Sequence, residues 1–117
     1  MKFTPEVEEP TDDDTTIPQS VRICGRNYDI VVHEVDPFDA GKVGTFDAQR
    51  MRINILDGQE PIEEVDTVLH EILHALCWLL VLDLGDQEEN VVARLATGLV
   101  AVLQDNPDLG AYLTAER

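Results

Sequence analysis

The chain has 117 residues, 44% of them hydrophobic, which suits one domain with a core of its own and is too short for two. Twenty-four acidic against eight basic residues leave a formal net charge of −16. That charge argues against nucleic-acid backbones and anionic membranes as partners, and favours a protein or peptide partner, a basic one included.

Cys24 and Cys77 have no CxxC spacing, and Met1 to Glu6 lack the apolar stretch of a signal peptide. A reduced, cytoplasmic setting is therefore expected. Residues 1–18 set Glu6, Glu8, Glu9, Asp12, Asp13 and Asp14 among prolines and threonines, too little apolar content to offset ordering entropy. They are expected to form a disordered acidic arm, with residues 19–117 as the single folded domain.

From Ser20 the pattern turns to β-branched residues. Val21-Arg22-Ile23-Cys24, the turn residues Gly25-Arg26-Asn27 and the run Tyr28 to Val35 read as a hairpin. After Asp36 to Gly41, a second pair, Val43 to Phe46 and Met51 to Leu56, flanks the turn Asp47 to Arg50. Met51, Ile53 and Ile55 alternate with Arg52 and Asn54, so one face of that strand is buried and the other solvated. The expected fold class is α+β, a small antiparallel sheet of three to four strands followed by packed helices. His33 lies in the second strand and reads as an ordinary strand histidine before a metal ligand.

Asp57-Gly58 closes the last strand, and Pro61 with Glu63, Glu64 and Asp66 suits the start of a helix running to about Leu80. Inside it stands His70-Glu71-Ile72-Leu73-His74, an HExxH motif. Residues four apart share a helix face, so the two imidazoles can converge on one ion while Glu71 stands about 100° round from His70. Two neutral nitrogen ligands beside a proton-accepting carboxylate are what a zinc hydrolase needs. Val65, Val68, Leu69, Ile72, Leu73, Leu76, Leu79 and Leu80 are expected to form the core arc. Thr67, His70, Glu71, His74 and Trp78 then line a cleft floor.

Leu84-Gly85 breaks this helix and Asp86-Gln87-Glu88-Glu89 opens a second, which carries Val91, Val92, Leu95, Ala96, Leu99, Val102 and Leu103 and stops at Asn106-Pro107. The connection must double back to bring that helix near His74. Projection points Glu88 toward the core side, whereas Glu89 fits a capping box with Asp86. Glu88 is thus the expected third zinc ligand and Glu89 the alternative, ahead of Asp83, Asp86 and His33. Cys77 also falls close to this region, as a small buried thiol.

With strands before the helix, Leu69-His70-Glu71-Ile72-Leu73-His74-Ala75-Leu76, and then Glu88 to Ala96 and Gln104-Asp105-Asn106-Pro107, the chain resembles the minimal zincin-like metallopeptidases of the gluzincin type, small phage and prophage proteins among them. The resemblance covers about residues 20 to 109. It implies Zn²⁺ as cofactor, His70 and His74 as ligands, Glu71 as general base and a glutamate of the second helix as third ligand. It also implies an extended peptide substrate on an edge strand, either Met51 to Leu56 or Val43 to Phe46, and the cytoplasm of a bacterial or archaeal host. Two other readings stay open, a zinc-binding but non-catalytic phage regulatory protein and an acidic mimic of nucleic acid.

Overall fold

A computed structural model describes residues 16–34 and 41–117. The acidic arm lies outside the described residues as far as residue 15, and so does the stretch from Val35 to Ala40. Ile17, assigned to the arm from sequence, packs against the core.

The elements run β1 (Ser20–Ile23), β2 (Arg26–His33), β3 (Gly44–Asp47), β4 (Arg52–Leu56), α1 (Pro61–Leu79), α2 (Glu88–Asp105) and α3 (Pro107–Thr114), with one 3₁₀ turn at Gly85–Gln87 before α2. The fold is α+β, as expected. Cys24 and Gly25, both with positive φ, make the two-residue turn between β1 and β2, one position earlier than the composition suggested. Asp47 Oδ1 accepts the Arg50 N–H at 3.0 Å and closes the turn from β3 to β4.

The sheet is mixed, which corrects the expected purely antiparallel arrangement. Its order is β1-β2-β4-β3, with both hairpins antiparallel but β2 and β4 parallel, Ile30 beside Ile53 and Val32 beside Ile55. Burial explains why β4 takes the inner place. Ile53 and Ile55 are 0% exposed, whereas all four residues of β3 are only half-buried and suit an edge. On the face away from the helices, His33 Nε2 lies 2.9 Å from Asn54 Oδ1, and the Asn54 amide donates to the Thr45 hydroxyl at 3.1 Å.

α1 lies across the other face. Ile23, Tyr28, Ile30, Ile53 and Ile55 meet Ala75, and Val68, Ile72, Leu76 and Leu79 close around them. The buried stripe of α1 also includes Thr67 and Glu71, each four residues from the next. The helix is therefore turned so that Glu71 faces the sheet, and Val65 and Leu80, assigned to the core arc from sequence, are exposed. Ala75 permits this close approach because it adds little bulk. α2 runs back along α1 and is tied there by the Thr97 hydroxyl donating to Asp66 Oδ2 at 2.8 Å. α2 packs on α1 and α3 and makes no contact with the sheet among the described residues. No helix among the described residues is long and apolar enough to cross a membrane.

Candidate metal and acid–base site

The cleft lies between β3 and the start of α2, with α1 as its floor. Helical spacing stacks His70 and His74 one turn apart, with ring centroids 4.9 Å apart and Nε2 atoms 3.2 Å apart. The return of α2 brings Glu89 to both: Oε2 is 3.0 Å from His70 Nε2 and Oε1 is 2.8 Å from His74 Nε2. Donor atoms of His70, His74 and Glu89 all lie within 4.8 Å of one another.

Glu88 takes a different place. Its Oε2 lies 2.7 Å from His74 Nδ1, on the far side of the ring from Glu89. Glu89, the alternative, and not Glu88 joins the donor group, and the capping box that would have occupied Glu89 does not form. Asp86 falls in the 3₁₀ turn, α2 starts at Glu88, and the N-cap position has no side-chain bond. Asp83 lines the cleft, but neither it nor Asp86 belongs to the donor group, and His33 is on the other face of the sheet.

These contacts constrain the charge between the rings. A neutral imidazole has one N–H, and in His74 the Nδ1 proton is the one Glu88 can accept. The His74 Nε2 lone pair then faces the Glu89 carboxylate at 2.8 Å. A cation between them, a proton or a metal, relieves that arrangement. Edges of a tetrahedron built from zinc–nitrogen bonds measure about 3.3 Å, close to the 3.2 Å seen between the two Nε2 atoms. Without a metal the strain falls on protons. Burial alone would lower the His74 pKa, but its hydrogen bonds to Glu88 and Glu89 and the nearby Glu71 charge outweigh it and raise it. Burial would raise that of Glu89, and its contacts to His74 and His70 instead lower it.

Glu71 is 6% exposed and stands outside the donor group. Burial raises its pKa against the opposing pull of His70 and His74. It fits beneath β3 because residue 44 has no side chain. A Cβ on Gly44 would come 2.7 Å from Thr67 Cγ2 and 3.2 Å from both Cγ and Oε2 of Glu71. Sequence reading passed over Gly44, although a glycine inside a strand is a signal of close backbone approach. Lys42 also lines the cleft, close enough to stabilise the Glu71 carboxylate. Cys77 is buried beside Glu88, and burial together with that charge pushes its thiol pKa up.

Among the described residues β3 is the last strand of the sheet, and its outer edge borders this cleft. Leu56 N–H bonds Val43 C=O at 2.9 Å and Gly44 stands opposite Ile55, so by antiparallel alternation the N–H and C=O of Gly44 and Phe46 point outward. β4 is interior, so of the two strands considered from sequence only β3 lies at a sheet edge among the described residues.

Searches against protein-family models, curated proteins and solved structures found no match to this chain.

Proposed function

We propose that the chain is a zinc-dependent hydrolase of the metallopeptidase type, cutting peptide bonds at the cleft between β3 and α2. The observation that carries this reading is the convergence of His70, His74 and Glu89 within 4.8 Å beside a buried, uncommitted Glu71. Zinc held by those three residues would supply Lewis acidity, lowering the pKa of water toward ~7 and polarising a substrate carbonyl.

The remaining work falls to the chain's own groups. Glu88 accepts the Nδ1 proton of His74 and so presents the Nε2 lone pair to the cleft. Glu71 accepts a proton from the attacking water and returns it to the leaving amine, a role that its burial favours by keeping the carboxylate basic. Outward N–H and C=O groups of Gly44 and Phe46 bind an extended peptide as an added strand. The net charge of −16 favours basic peptides over acidic ones.

The test compares zinc-loaded wild type and Glu71→Gln, each incubated with an unfolded basic protein and read by mass spectrometry. Cleavage by wild type alone, with equal zinc in both, is expected. Retained zinc with no cleavage by wild type would leave a metal-binding protein without catalysis. Loss of zinc in Glu71→Gln would make Glu71 a ligand instead.

A further inference from the structure

We infer that Trp78, Val81 and Leu82 form a subsite for a bulky apolar side chain of the substrate, so that the cleft selects peptides carrying an aliphatic or aromatic residue near the bond it cuts. The inference rests on the hydrolase reading of the same cleft. It starts from the helix face: His70, His74 and Trp78 are spaced by four, which carries the ligand stripe on into an apolar side chain.

Trp78 is 64% exposed, Val81 84% and Leu82 48%, and all three line the cleft that holds His70, Glu71 and His74. Val81 is also strained. Its φ is +55°, in the left-handed region where a β-branched residue is a clear outlier. The chain closes α1 there, with Leu82 N–H bonding Cys77 C=O at 2.9 Å and Val81 N–H bonding Trp78 C=O at 3.4 Å. Helices that end with this pair of bonds usually place glycine at the left-handed position. Valine costs backbone energy there and gains no burial in return. Strain held at the rim of a cleft, on a side chain left this exposed, points to a ligand as the missing neighbour. Asp83 beside this rim, with Glu88 and Glu89 deeper in the cleft, disfavours an acidic side chain at the same place.

Trp78 is the single tryptophan of the chain, so its fluorescence reports occupancy of the rim directly. Zinc-loaded Glu71→Gln protein, titrated with acetyl-Gly-Gly-Leu-Gly-Gly-amide and with its counterpart carrying aspartate in place of leucine, gives the two affinities. The leucine peptide should shift the emission and bind about tenfold tighter or better. Val81→Gly should raise the melting temperature, since glycine accepts the left-handed φ, and yet reduce the leucine preference with zinc content unchanged. That opposition of stability and binding is not expected of a merely structural residue. Equal binding of the two peptides would overturn the subsite, as would a leucine preference that survives intact in both Val81→Gly and Leu82→Asp. Because binding is read without turnover, the two claims fail separately: preference without cleavage by wild type retains the subsite and removes the hydrolase, whereas cleavage without preference does the reverse.

Discussion

Glu88 and Glu89 are neighbours in sequence and sit on opposite sides of the His74 ring, with 2.7 Å to Nδ1 for one and 2.8 Å to Nε2 for the other. Their roles should separate on mutation. Glu88→Ala should weaken zinc binding by about 10- to 100-fold, the usual cost of losing the partner that orients a ligand histidine. Glu89→Ala should cost more than that, since it removes a donor of the proposed site. Competition with a zinc-sensitive dye measures both. A second expectation concerns Gly44. Gly44→Ala forces its methyl toward Thr67 and Glu71, so hydrolysis should fall while zinc is retained, and stability should drop by about 1–3 kcal/mol from overpacking. Metal analysis, turnover and denaturant unfolding of that one variant distinguish this from a lost metal site. At this scale the motif residues were legible because HExxH spacing is set by helix geometry alone. The placement of the two glutamates differs from the projection because their phase depends on where α2 begins, and the 3₁₀ turn at Gly85–Gln87 moves that start to Glu88.

Element types were readable for a similar reason, since strand alternation and helix caps are local. Ile53 and Ile55 announced the inner face of β4, and Pro61 and Asn106-Pro107 marked helix ends. How the hairpins join was not local. The parallel pairing of β2 with β4 depends on which hairpin edge is the more apolar, and on a connection whose residues carry no regular pattern. Likewise the rotation that buries Glu71 and exposes Val65 reflects the space that Gly44 leaves over Thr67 and Glu71, which no single helix projection contains. Placement of α2 leads to a further prediction. Its backbone lies against α1 and α3 and not against the sheet among the described residues, so metal bridging α1 and α2 would brace it. Chelation should speed amide exchange at the start of α2 while the amides of β2 and β4 stay protected. Equal acceleration everywhere would show that the metal supports the whole fold and not this helix pair. Ile53→Ala, by contrast, should lower global stability by about 2–5 kcal/mol whether or not zinc is present.

For the whole molecule, the dominant physical fact is charge. At −16 over 117 residues the folded chain repels itself, so raising salt from about 0.1 M to about 1 M should raise the melting temperature by screening. Glu88, Glu89 and Glu71 add to that repulsion within one cleft, which makes a bound cation worth more here than in a neutral protein. Zinc at a free concentration 100 times its dissociation constant would add about 2.7 kcal/mol to native-state stability if it binds as proposed. The central claim is that His70, His74 and Glu89 hold that cation. Its most direct test is zinc content per chain, measured by elemental analysis on wild type and Glu89→Ala after identical dialysis from excess zinc. One zinc per chain in wild type and essentially none in Glu89→Ala is the predicted result. A wild type that retains no zinc, or a Glu89→Ala protein that retains as much as wild type, would contradict the account.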